Sequence, residues 1–164
     1  MYFSASCFLV TASCLGVEDV RFASVLKRIK GSVAGVGVDL IRVRRVEQAY
    51  SRCPERFMQR IFTPREQAFL FQRGYPAATL AARFAAKEAV AKALGCGIGP
   101  VRWNEMEIMP DSKGAPCVYL HGEAERQARQ QGISGVAISL SHDGPRAIAF
   151  AVAYRKQKAK NQDV

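Results

Sequence analysis

A helical segment at residues 83–94 sets one acid between two lysines, Lys87, Glu88 and Lys92. At about 100° per residue, Glu88 falls at the margin of the segment's apolar face, one turn before Lys92. A carboxylate at such a border suits a hard cation, because Mg²⁺ is usually held by one or two carboxylates together with substrate phosphates and water. The segment is therefore a candidate for part of a magnesium site, and a second carboxylate is expected.

Asp39 is the candidate for that second carboxylate. It ends a run of small and β-branched residues, 33–39, that predicts a buried strand. Both acids also have ordinary structural interpretations. A Lys-Glu-Lys pattern is most often a solvated helix face with i,i+4 pairs, and Asp39 could be the N-cap of a helix predicted at residues 40–50.

A third group of polar residues lies near the C-terminus. Alternating apolar residues on both sides of Asp143-Gly144 predict a β-hairpin, and Pro145 favours a loop slightly longer than two residues. Ser141 and His142 then fall at a strand end, where a histidine can hydrogen-bond a phosphate or a ribose. A turn histidine without any ligand is an equally good interpretation.

Taken in order, the three segments resemble a known family. Residues 37–40 (GVDL), 83–93 with the core FAAKEA, and 139–142 (SLSH) are similar to the motifs of holo-acyl-carrier-protein synthase. This is the small bacterial branch of the 4′-phosphopantetheinyl transferases. The resemblance runs from about residue 35 to about residue 153 and includes FTPRE at 62–66, GIG at 97–99 and GAP at 114–116. Three ordered motifs are far more specific than any one of them.

The resemblance implies transfer of the phosphopantetheine arm of coenzyme A to a serine hydroxyl of apo acyl carrier protein. Adenosine 3′,5′-bisphosphate is released, and the reaction serves fatty acid biosynthesis. By position, Asp39 and Glu88 would hold Mg²⁺, which neutralises charge on the leaving group. Lys92 would act as general acid toward the bisphosphate, and Glu88, directly or through a water, as base toward the serine.

The resemblance also implies contacts with coenzyme A. Arg83 and His142 would grip its 3′-phosphate, with Ser141 beside them, because a guanidinium fork matches a phosphate bidentately. Lys87 lies on the apolar side of the helical wheel, so it would contact phosphate or would bury its stem and snorkel to solvent.

Three further features have structural accounts as well. Gly97 and Gly99 resemble the loop near the adenine, although a helix C-cap and turn explains them equally well. Asp143 suits a tight turn before glycine. Glu66 completes a capping box with Thr63, with proline at the first helical position.

The net charge of +10 predicts an anionic partner, and both coenzyme A and an acidic acyl carrier protein qualify. By resemblance, Arg45 and Arg56 fall where the carrier protein docks, although they could simply belong to a solubilising surface. A basic chain also suits nucleic-acid binding. Because the sequence has no zinc-finger spacing and no aromatic-studded strand, no nucleic-acid partner is predicted.

The five cysteines form no CxxC pair and are odd in number, which predicts reduced thiols in the cytoplasm. The two histidines, His121 and His142, are too far apart for a local zinc motif. Residues 1–15 lack a basic n-region, and their apolar run is too short to span a bilayer, so no membrane association is predicted. Residues 17–30 could form a helix with a basic end.

The sequence divides into an N-terminal extension of uncertain status at residues 1–32, a transferase domain at 33–154 and a basic, frayed tail at 155–164. The extension is predicted to be dispensable. The remaining strands are predicted at 104–109, 117–121 and the final hairpin. The remaining helices are predicted at 63–73, 78–94 and 123–131. The predicted class is α+β with an antiparallel sheet, in a 4′-phosphopantetheinyl transferase-like fold.

Relatives in this branch are trimers with the coenzyme at subunit contacts, so the resemblance implies a homotrimer. The final strand at residues 147–153 could pack in a trimer or in a monomer core. Two other functions stay open: a non-catalytic module that binds coenzyme A or a nucleotide, and a metal-dependent phosphohydrolase that uses water as the acceptor. The presence of Asp39, Glu88 and Lys92 together argues against the binding module.

Overall fold

A computed structural model describes residues 31–156, so the helix predicted at residues 17–30 and the tail from residue 157 lie outside the described residues. The strands are β1 (Gly31–Arg42), β2 (Met106–Pro110), β3 (Pro116–Leu120), β4 (Gly135–Asp143) and β5 (Arg146–Lys156). The helices are α1 (Val43–Arg52), α2 (Pro54–Ile61), α3 (Pro64–Phe71), α4 (Ala77–Ala93) and α5 (Gly122–Gln130), with a 3₁₀ turn at Trp103–Glu105. No helix between residues 31 and 156 is long and apolar enough to cross a membrane.

The main sheet has three antiparallel strands in the order β1-β5-β4, and β2 and β3 form a separate antiparallel pair. Alternate residues of a strand point to opposite faces, so the register defines an inner and an outer face. On the inner face, residues 35, 37 and 39 of β1 lie opposite alanines of β5 at positions 153, 151 and 149. The predicted α+β class and antiparallel sheet are confirmed.

Helix α4 packs on this inner face at very short distance. A Cβ added to Gly35 would lie 2.2 Å from the carbonyl oxygen of Ala93, and one added to Gly37 would lie 2.0 Å from that of Ala89. Only glycine leaves room for backbone to approach backbone in this way. The two glycines and the alanines of β5 therefore set the position of α4 against β1.

The outer face of the sheet carries large apolar side chains that no part of residues 31–156 covers. They are 42–59% exposed and come from both β1 and β5: Val36, Val38, Leu40, Ile148 and Phe150. A contiguous apolar surface of this kind usually marks an interaction site.

Several predicted boundaries are wrong. Strand β1 continues to Arg42, because its pairing with β5 extends to Arg146, so α1 begins at Val43 with Arg42 as N-cap. Asp39 is therefore not a helix cap. The hairpin loop has only two residues, since Asp143 pairs directly with Arg146 and Gly144 supplies a φ of +50°. Helix α2, which starts at a proline after Cys53, was not predicted.

The main sheet also extends further than predicted at the end where β1 begins and β5 ends. Gly31 and Ser32 pair with Lys156 and Arg155, and the Arg155 Nε donates to the carbonyl of Gln131 at 2.9 Å. Arg155 and Lys156 thus belong to β5, although the sequence assigned them to a frayed tail. The capping box of α3 is confirmed: Thr63 and Glu66 exchange both hydrogen bonds.

Candidate active site

The structure brings Asp39 and Lys92 together where β1 meets α4. The Lys92 ammonium donates to Asp39 Oδ1 and to the carbonyl of Val38, both at 2.8 Å. Gly37 makes the contact possible, because a Cβ there would lie 2.9 Å from the Lys92 Cβ. The Lys92 side chain is 49% exposed and that of Asp39 is 19% exposed, so the pair faces solvent and is open to a ligand.

Glu88 lies one helical turn before Lys92, which places the two side chains on neighbouring positions of α4. Its Oε1 accepts a hydrogen bond from the indole nitrogen of Trp103 at 2.7 Å. Asp39 contacts Lys92, and Glu88 lies four residues before Lys92 on the same helix. Trp103 was not predicted to be near Glu88, because no spacing pattern links the 3₁₀ turn to the helix.

Asp39 and Glu88 offer only oxygen donors, which suit magnesium better than a soft metal. Among residues 31–156 there is no group of three or more histidine, cysteine, aspartate or glutamate side chains that could hold an ion. Two carboxylates suit a cation that completes its coordination with substrate phosphates and water. The residues present are therefore compatible with Mg²⁺ held jointly by Asp39, Glu88 and a phosphate-bearing substrate.

Lys87 neither reaches solvent nor lies at a phosphate site, the two alternatives that the sequence suggested. Its side chain is fully buried, and its ammonium donates to Glu66 Oε2 at 2.7 Å and to the carbonyls of Met106 at 2.7 Å and Trp103 at 3.1 Å. Burial lowers the pKa of Lys87, and the charge of Glu66 opposes that shift. With three acceptors inside the protein, Lys87 neither snorkels to solvent nor presents its ammonium to a phosphate.

Arg83 is also largely buried, with 7% of its surface exposed. Its Nη1 donates to the carbonyl of Ile108 and lies 3.9 Å from Glu66 Oε1. The guanidinium stacks over Phe69, 4.5 Å from the ring centroid, and burial lowers its pKa. Little of the Arg83 side chain is therefore exposed to a phosphate-bearing ligand.

His142 and Ser141 are exposed on β4, but they lie on opposite faces of the sheet. His142 pairs with Ala147 and Ser141 with Ile148, so His142 shares the inner face with Asp39. The predicted phosphate-binding role of His142, Ser141 and Arg83 stays a prediction.

The glycine loop follows the C-terminus of α4 directly. Gly95 donates its backbone N–H to the carbonyl of Lys92 at 3.0 Å and has a φ of +69°, which is a helix C-cap. Gly97 and Gly99 are exposed and have φ values of +64° and +138°. The cap and turn suggested by the sequence are present, and the loop lies at the Lys92 end of α4.

The predicted docking arginines are exposed on neighbouring helices, Arg45 on α1 and Arg56 on α2. Arg45 lines a cleft beside β1 together with Arg42 and Arg146. Three guanidinium groups at one cleft make a strongly positive surface, which is suited to an acidic partner.

Comparison with known proteins assigns the family. The sequence model of the 4′-phosphopantetheinyl transferase superfamily matches residues 35–151. The chain therefore belongs to this superfamily.

Its relatives are more specific. The holo-[acyl-carrier-protein] synthase of Natranaerobius thermophilus is 43% identical over 122 residues, which are 74% of this chain and 98% of the relative. The enzyme of the same name from Desulforudis audaxviator is 46% identical over 121 residues, or 74% of this chain and 92% of the relative. These similarities confirm the resemblance to holo-acyl-carrier-protein synthase that the three motifs carry.

Solved structures agree with the sequence comparison. The crystal structure of the synthase from Neisseria meningitidis gives a TM-score of 0.70 at 36% identity, covering 76% of this chain and all of that one. The synthase from Helicobacter pylori, solved in complex with coenzyme A, gives a TM-score of 0.64 at 29% identity, covering 72% of this chain and 98% of that one. The predicted transferase-like fold is confirmed.

Proposed function

We propose that this protein transfers the 4′-phosphopantetheine arm of coenzyme A to a serine of apo acyl carrier protein for fatty acid biosynthesis. The observation that carries the proposal is the ion pair of Asp39 with Lys92 where β1 meets α4, with Glu88 one turn before Lys92 on the same helix; these three residues are called the cluster below. The cluster lies within the region that matches the superfamily. The relatives are named as synthases of this kind, and one of them was solved with coenzyme A bound.

The three side chains have complementary tasks. Asp39 and Glu88 would hold Mg²⁺, which when bound neutralises charge on the pyrophosphate of coenzyme A. Lys92 is an exposed ammonium at the same place, so it can deliver a proton to the departing adenosine 3′,5′-bisphosphate. Glu88 can accept the proton of the attacking serine hydroxyl.

The coenzyme site is proposed to include residues beyond this cluster. His142 and Ser141 are exposed and accessible to a phosphate. Gly97 and Gly99 follow the end of α4, where the adenine ring could pack against main-chain atoms because glycine has no side chain. Arg83 would take part only through the small exposed part of its side chain. His142 is exposed on β4, the edge strand of the main sheet, and is accessible to a second copy of the chain, so we propose that the coenzyme lies at a contact between subunits.

A homotrimer would supply that contact. The support is the outer sheet face formed by Val36, Val38, Leu40, Ile148 and Phe150, which a single chain leaves in water. Covering this face with neighbouring copies would remove apolar surface from water. Each Å² buried in this way stabilises the assembly by about 25 cal/mol.

The partner is proposed to be an acidic acyl carrier protein that docks at Arg45 and Arg56, in the cytoplasm. The two exposed guanidinium groups and the net charge of +10 favour its capture. Manganese in place of magnesium, or an acylated coenzyme A in place of coenzyme A, would use the same groups.

Intact-mass spectrometry tests the reaction. Apo acyl carrier protein is incubated with this protein, coenzyme A and Mg²⁺, with EDTA added in a parallel sample. We expect a metal-dependent gain of about 340 Da, the mass of one phosphopantetheine arm. The matched variant Glu88→Gln should fold normally but lose orders of magnitude in turnover.

Other outcomes would identify the other functions. Coenzyme A binding without any mass gain over several carrier proteins would establish the binding module instead. Consumption of coenzyme A in the absence of carrier protein would establish the phosphohydrolase. Normal turnover by Glu88→Gln would remove Glu88 from the site.

A further inference from the structure

Trp103 is the only tryptophan of the chain, and its indole N–H donates to a carboxylate of the candidate metal site. The N–H points to Glu88 Oε1 at 2.7 Å, a short distance that is typical of a hydrogen bond to a charged acceptor. Within residues 31–156, Glu88 has no other hydrogen-bond donor. One oxygen of the carboxylate is thus held, and the other is left for a ligand.

The indole is itself held by two neighbouring side chains. Its ring packs on Phe84, with 5.8 Å between centroids and 34° between planes, and the Arg60 guanidinium lies 5.2 Å from the ring centroid. The backbone carbonyl of Trp103 accepts a hydrogen bond from the buried Lys87 ammonium at 3.1 Å. The donor that meets Glu88 is therefore fixed in place before any ligand binds.

We propose that Trp103 is a positioning residue for the metal-binding carboxylate of Glu88, and that its fluorescence reports occupation of that site. The proposal builds on the metal site of the proposed function. A glutamate side chain loses considerable rotamer freedom when it is ordered. The hydrogen bond from Trp103 orders the Glu88 side chain before the metal binds. Losing a side chain that orients a metal ligand typically costs 10- to 100-fold in metal affinity.

The test compares two variants that change the same aromatic pair. Trp103→Phe keeps a ring against Phe84 and loses the N–H. Phe84→Leu removes the stacked ring and keeps the N–H. Mg²⁺ is titrated into each folded protein by calorimetry, alone and with coenzyme A present, and thermal melting checks stability. In the proteins that keep Trp103, indole emission is followed in the same titrations, with Glu88→Gln as the control.

We expect the Mg²⁺ dissociation constant of Trp103→Phe to rise at least tenfold, with less than a threefold rise in Phe84→Leu. Wild-type emission should change with Mg²⁺, and emission of Glu88→Gln should not. An unchanged constant in Trp103→Phe would overturn the proposal. Equal weakening in both variants, or an emission change that persists in Glu88→Gln, would overturn it as well.

A second substitution keeps the proposal testable if Trp103→Phe does not fold. Because the chain has a single tryptophan, an auxotrophic host can replace it with benzothienylalanine, which keeps the bicyclic shape and has sulfur in place of the N–H. The same loss of Mg²⁺ affinity is expected. A protein that binds Mg²⁺ in this Trp103-dependent way but modifies no carrier protein would refute the proposed function alone. An active protein indifferent to the indole N–H would refute this inference alone.

Discussion

Lys87 and Glu66 form an ion pair inside the protein, with 2.7 Å between Nζ and Oε2 and neither side chain exposed. Glu66 also accepts from the backbone N–H groups of Thr63 and Ile108. The pair joins α4 to α3 and β2. The residue before Glu88 thus anchors the helix on which Glu88 lies.

Lys87→Met should destabilise the protein by about 3–5 kcal/mol, because it removes the close cation of the buried Glu66 carboxylate and leaves only Arg83, 3.9 Å away. Denaturant unfolding measures this loss. The affinity of the folded variant for coenzyme A should stay within about threefold of wild type, since the ammonium points inward. A variant as stable as wild type that binds coenzyme A poorly would contradict the buried position and restore Lys87 to the phosphate site.

Gly37→Ala should impair both folding and turnover, because its Cβ would lie 2.0 Å from the Ala89 carbonyl oxygen. Overpacking of this kind costs about 1–3 kcal/mol. Moving α4 away from β1 would also lengthen the contact between Asp39 and Lys92. We expect kcat to fall at least tenfold in the fraction that remains folded. Full activity at wild-type stability would show that the close approach of strand and helix is not needed.

Arg45→Glu should raise the KM for carrier protein about tenfold or more and leave the KM for coenzyme A nearly unchanged, because rim charges mainly affect the capture of a charged partner. Lys113→Glu, a matched charge reversal in the exposed turn between β2 and β3, serves as the control. The defect should shrink as salt is added. A larger effect on coenzyme A than on carrier protein would move Arg45 out of the docking surface.

Val38→Asp should dissociate the proposed trimer, because it places a charge in the middle of the exposed apolar face of β1 and β5. Sedimentation velocity gives the oligomeric state. Phe71→Asp is the control, since Phe71 is exposed and apolar but lies on α3, away from the sheet. A wild-type protein that sediments as a monomer would exclude the assembly outright.

Removing residues 1–30 should leave turnover and stability close to wild type, because β1 and its pairing with β5 begin at Gly31. Removing residues 1–36 takes away the β1 half that contacts Ala93 and should abolish stable folding. Melting temperature and transferase activity of the two truncated proteins provide the measurement. Loss of activity in the shorter deletion, with the fold retained, would assign the extension a role.

Local signals in the sequence were sufficient for most elements. The capping box at Thr63 and Glu66 and the hairpin at Asp143-Gly144 depend on neighbours in sequence, and both are present. The pairing of Asp39 with Lys92 was implicit only in the resemblance, since the two are 53 residues apart. Their approach depends on Gly37, whose importance becomes visible only when the helix is in place.

The errors come from packing that a helical wheel does not describe. Lys87 was expected to contact a phosphate or to reach solvent, because lysine rarely lies inside without a partner. Its partner, Glu66, was assigned wholly to the capping box, although a carboxylate has two oxygens and accepts several hydrogen bonds. Trp103 was missed for a similar reason, because a 3₁₀ turn has no periodic pattern to relate it to Glu88.

The contact of β1 with α4 is made of peptide groups and methyl groups, contributed by Gly35 and Gly37 on the strand and by Ala89 and Ala93 on the helix. Such groups have no side-chain rotamers. The layer behind Asp39 and Lys92 therefore cannot repack into alternative arrangements, as a layer of leucine or methionine could. Main-chain atoms set the distance between strand and helix. Rotamer changes of core side chains should therefore alter that distance very little.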